Sequence, residues 1–109
     1  MRLQKYINLI IKIYDIACKN GDSEMVIILT PMLNIIANNL NDMGIYRIAR
    51  GFEWVFSKIE KTAHQIWINK GSPTNNNPED DWNEAEEIVI KQHRGTIIDT
   101  LYNLGYLPK

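Results

Sequence analysis

The 109-residue chain has one cysteine, two histidines, four prolines and no long uncharged apolar run, and each shortage removes a class of protein. A lone thiol at Cys18 cannot close an internal disulfide, which sets the chain apart from stapled secreted domains and points to a reducing cytoplasm. Cys18 sits near a predicted helix C-terminus, where the dipole disfavours a thiolate, so it reads as a buried structural thiol rather than a nucleophile. No stretch approaches the roughly 18 apolar residues that a membrane span needs. Arg2 and Lys5 precede an apolar run, but Asn8, Lys12 and Asp15 interrupt it and no small-residue cleavage site follows, so it does not read as a signal peptide. Glu60 and His64, four apart, share a helix face. A carboxylate-bridged metal site in a bundle needs Glu-x-x-His pairs on two helices, and there is no second pair. His64 therefore reads as a partly exposed residue with a local hydrogen bond. There is no glycine-rich phosphate loop, no G-x-S-x-G and no H-E-x-x-H. The acidic run from Asp80 to Glu87 lacks the spacing and the glycine of a calcium loop. The expectation is a protein with no catalytic, metal or cofactor site.

What is present is helical periodicity. Hydrophobic residues make up 45% of the chain, enough for one core, and the length suits a single domain over residues 1–109. The first helix is predicted from Leu3 to Lys19, with Leu3, Tyr6, Ile7, Ile10, Tyr14 and Ala17 at helical spacing. Leu9, Ile11, Ile13 and Ile16 widen its apolar surface beyond one stripe, as in a helix that is central to a core or shared with a partner. Asn20-Gly21 ends it and Asp22-Ser23 offers the next N-cap. Met25, Ile28, Leu29, Met32, Ile36 and Leu40 form the inner face of a second helix. Pro31 falls inside this pattern and predicts either a kink or a break into two helices. The third helix runs from about Ile45 to Asn69 on the stripe Ile48, Phe52, Val55, Ile59, Ala63 and Ile66. Gly51 within it suggests a bend or a close helix approach. Residues 72–79 read as a loop. A fourth helix is predicted from Asp80 or Asp81, with Trp82, Ala85, Val89 and Gln92 on one face. A short last helix, capped by Thr96, carries Ile97, Ile98, Leu101 and Leu104, and Gly105 and Pro108 end it. The expected fold is all-α, a small bundle of four or five helices with a C-terminal helical hairpin.

Within that hairpin, Ala63, Trp67, Gly71, Pro73, Asp81, Trp82, Ala85 and Glu86 spell A-x-x-x-W-x-x-x-G-x-P, a loop, then D-W-x-x-A-E. Residues 63–88 thus resemble a short bacterial domain of unknown function, in which one helix ends and another opens on this pattern. The family's loop usually holds a second glycine; Asn75–Asn77 stand here instead, in a loop about one residue longer. The resemblance covers about a quarter of the chain and implies a helix–loop–helix unit, placed at residues 58–94, and a bacterial setting, but no chemistry. Physically, Gly71 permits a sharp exit and Pro73 stiffens the loop. Asp81 caps the second helix, Glu86 reaches back towards Lys70 or Lys61, and Trp67 and Trp82 pack together or close the open end. These residues either build the hairpin alone or also present the tryptophan pair to a partner.

Charge and apolar excess give two readings of function. The first is a non-catalytic protein–protein interaction or adaptor module that self-associates, with a homodimer seam on the Leu9, Ile13 and Ile16 edge and partner contacts at Trp67 and Trp82. The alternative is a small nucleic-acid-associated regulator. Lys5, Lys12 and Lys19 recur every seven residues on the first helix, and Arg47, Arg50, Lys58 and Lys61 pair along the third. Against it stand a net charge of −1 and the absence of a recognised reading motif; these lysines also suit an ordinary solvated face.

Overall fold

The computed structural model describes residues 4–38, 42–74 and 77–105. The expected places of Leu3, Leu40, Asn75, Asn76 and Pro108 fall outside them. The described residues form five α-helices and no strand: α1 (Gln4–Lys19), α2 (Ser23–Asn38), α3 (Asp42–Asn69), α4 (Pro78–Gln92) and α5 (Arg94–Leu104). The architecture is the all-α bundle that the periodicity predicts.

The core draws on all five helices. Leu9, Ile10, Ile13, Ile16 and Ala17 of α1 meet Met25, Ile28, Leu29 and Met32 of α2 and Ile48, Phe52, Val55 and Ile59 of α3. Ala85, Val89 and Ile90 of α4 and Ile97, Leu101 and Leu104 of α5 complete it. The breadth of α1's apolar surface has a plain cause: the helix packs against both α2 and α3. Leu9, Ile13 and Ile16 are at most 3% exposed, so the flank expected to form a dimer seam is interior. Cys18, expected inside, is exposed, because the residue after Ala17 turns about 100° away from the buried side.

Local chemistry sets the helix ends. At Gly21 (φ 67°) the amides of Gly21 and Asp22 donate to the carbonyls of Cys18 and Ala17, a Schellman closure. Asp22 then accepts from the Met25 amide at 3.3 Å, capping α2. Pro31 does not divide α2, which runs unbroken through it. The Asp22 carboxylate also takes two hydrogen bonds from Arg94, at 2.6 and 2.8 Å, and Arg94 reaches Glu24 at 2.8 Å. This fork ties the start of α2 to the start of α5 and holds the Asp22 carboxyl below its usual range, Arg94's hydrogen bond being the main cause. Gly51 is the predicted close approach: a Cβ there would lie 3.2 Å from Leu104 Cδ2. Two starts differ from expectation. α4 begins at Pro78, capped by Asn77, whose side chain accepts from the Glu79 amide at 3.0 Å. α5 begins at Arg94 rather than after Thr96, with His93 joining it to α4.

At 28 residues, α3 spans about 42 Å, close to the 48 Å long dimension of the molecule. Its last core residue is Ile59. Beyond that point Ala63, Ile66 and Trp67 are only half-buried. The C-terminal ten residues of α3 therefore carry the hairpin past the compact core, and it is on this projecting part that the loop to α4 turns.

Candidate functional site

The hairpin tip is closed by its own backbone. Gly71 (φ 88°) and Ser72 (φ 54°) both adopt left-handed conformations. Their amides donate to the Ile68 and Trp67 carbonyls at 2.9 and 3.1 Å, the same closure as at Gly21. The Trp67 indole N–H donates to the Pro73 carbonyl at 3.1 Å, folding the loop over the indole. Across the turn, Lys70 Nζ meets Asp81 Oδ1 at 2.5 Å. Asp81 is buried and locks α4 to the end of α3; the cap expected of it is supplied by Asn77. This pairing, with Asp80 and Glu84 nearby, raises the Lys70 pKa, Asp81's hydrogen bond contributing most.

Two aromatic groups flank this lock. Trp67 lies against His64, ring centroids 5.6 Å apart. Trp82 lies against Phe56 at 5.0 Å, and Phe56 against Tyr6 at 5.8 Å. The Trp82 indole hydrogen-bonds Glu86. Glu86 does not reach back to Lys70 or Lys61 as expected; it is buried with Lys12 as its nearby cation. Burial raises the Glu86 pKa above the ordinary carboxylate value, against the opposing pull of Lys12 and Trp82.

Among the described residues, only α3, the loop and α4 line the projecting end of the hairpin, and a cleft of about 530 Å³ remains between them. Glu60, Ala63, His64 and Trp67 form one wall; Pro73 and Thr74 of the loop, with Pro78, Asp81 and Trp82 of α4, form the other. The volume lies in the range of ligand and peptide pockets, and the lining has their usual character: aromatic and apolar, with a few polar groups. Trp67 and Trp82, singled out from the sequence, are thus brought to one site. Thr74 and Pro78 were missed, although Asn-Pro ahead of an acidic turn is a readable helix start.

The other expected residues are dispersed. Lys19 pairs with Asp15 at 3.2 Å. Lys12 is half-buried, and Lys5 Nζ lies 4.3 Å from the centroid of Phe56. The α1 lysines therefore do not present one continuous patch. Arg47, Arg50, Lys58 and Lys61 are exposed, and their helical phase puts them within an arc of about 80° on α3. Among the described residues, no group of three or more His, Cys, Asp or Glu side chains is placed to hold a metal ion, and no helix is long and apolar enough to cross a membrane.

Residues 57–90, the segment that builds the cleft, match the family described as Protein of unknown function (DUF2934). The match confirms a short domain-of-unknown-function segment where the tryptophan pattern lies. No curated protein and no solved structure matches the chain.

Proposed function

We propose that the chain is a non-catalytic protein-interaction module whose α3–α4 hairpin binds a segment of a partner protein in the Trp67–Trp82 cleft. The carrying observation is that cleft itself: two half-buried tryptophans and two prolines line a cavity of about 530 Å³ on a projecting hairpin. Aromatic side chains at the centre of such a surface supply large apolar contact at small entropic cost, which is why they dominate binding hot spots. The backbone closure and the Lys70–Asp81 lock hold both walls in place before a partner arrives, which lowers the ordering cost of association. The reading places the protein in the cytoplasm, where the exposed Cys18 thiol would stay reduced.

The test is selection of a displayed library of random 12-residue peptides on the whole protein. We expect enriched peptides that bind saturably with a change in tryptophan fluorescence. They should lose at least tenfold in affinity to Trp67→Ala and to Thr74→Trp, the second of which fills the cleft from an exposed loop position. Enriched peptides indifferent to both variants, or no enrichment, would contradict the reading.

A second reading, contact with a nucleic-acid backbone, draws on the α3 arc of Arg47, Arg50, Lys58 and Lys61. Mobility-shift binding that weakens steeply with salt and is lost on Arg50→Ala with Lys61→Ala would favour it over the first.

A further inference from the structure

We infer that the occupant of the cleft is an arginine or lysine side chain borne on an apolar segment of the partner protein, an inference that rests on the docking reading above. Among the described residues, the cleft's ionisable lining is Glu60, His64 and Asp81, with no Lys or Arg. The surrounding charge has the same sign. Residues 57–90 hold three lysines against seven acids, a net −4, while the rest of the chain carries +3. One of those lysines, Lys70, is engaged with Asp81, which leaves the exposed Glu60 carboxylate on the wall facing Trp82.

The competing occupants fit worse. An anionic or phosphorylated segment would bring like charge to Glu60, with no Lys or Arg among the described lining residues to receive it. A purely aliphatic segment would strip water from Glu60 without replacing it, and an unpaired carboxylate is costly to desolvate. A cation on an apolar stem answers both surfaces. Its charge meets Glu60, its stem lies on the prolines and Ala63, and its head faces indole rings whose negative π-faces attract it. The molecule already uses this chemistry next door: Lys5 Nζ sits 4.3 Å from the centroid of Phe56, the ring that packs on Trp82.

The test takes the cleft-dependent peptides from the selection and replaces each Arg by citrulline, which keeps the shape and removes the charge, and each Lys by norleucine. The expected result is enrichment of Arg or Lys beside apolar residues and at least a tenfold loss of affinity on neutralisation. Glu60→Gln, an exposed substitution that leaves the core untouched, should produce a matching loss for the charged peptides and none for the neutral ones. Cleft-dependent peptides that bind equally well when neutralised would overturn the inference and leave the docking reading standing. Loss of cleft dependence altogether would overturn both.

Discussion

Glu86 is the residue whose charge sits least comfortably in the fold. It is buried beside Trp82, and burial outweighs Lys12 in raising its pKa. A carboxyl whose folded pKa is raised favours the folded state when protonated. That contribution is complete below the unfolded value of about 4.3 and is lost as pH rises through the folded value. Glu86→Gln should therefore melt at a higher temperature than the parent at pH 7, with the difference vanishing near pH 4. Equal destabilisation at both values would show that the Lys12 contact outweighs the burial. Single residues were unevenly legible. Trp67 and Trp82 stood out because they recur in a fixed pattern around Gly71 and Pro73. Leu9, Ile13 and Ile16 were misread because a sequence shows how wide an apolar surface is, not how many neighbours cover it; α1 lies against two helices, which cover these three side chains while Ile11 stays half exposed. Cys18 was misjudged from the other side, since its apolar neighbour Ala17 gives no hint of which way the next side chain turns.

At the scale of helices and their joints, the hairpin depends on a left-handed pair. Gly71→Ala forces a Cβ onto a residue at φ 88° with nothing for that atom to clash with, so the cost is conformational, about 1–2 kcal/mol. The expected drop in Tm is roughly 4–8 °C per kcal/mol, measurable by circular dichroism; an unchanged Tm would mean that the loop reaches its closure by another route. Helix cores were readable from spacing and helix ends less so. Acids at Asp80 and Asp81 look like a cap, but Asn77 takes that role with Pro78 at the first helical position. Asp81 is freed to pair with Lys70, 11 residues earlier, a contact that helical spacing within one element cannot signal. Pro31 by itself is compatible with a kink or a break, and α2 runs unbroken through it.

For the molecule as a whole, the periodicity sufficed for an all-α bundle of four or five helices, of which the structure shows five among the described residues, and the tryptophan pattern for the position of the hairpin. The cleft was not visible, because it arises from an absence: α3 runs on past its last core residue, Ile59, and among the described residues no helix besides α3 and α4 lines the space. That geometry is why the proposed docking surface is the hairpin tip rather than the α1 flank, and residues 57–90, which build it, carry a net −4 against +3 for the rest of the chain. The most direct measurement is a ¹H–¹⁵N correlation spectrum of the labelled protein titrated with a peptide selected on it. Perturbations gathered at Glu60, Ala63, His64, Trp67, Thr74 and Trp82, including both indole N–H signals, are the predicted outcome. Perturbations gathered on α1, α2 or α5 while the hairpin tip stays silent would contradict it.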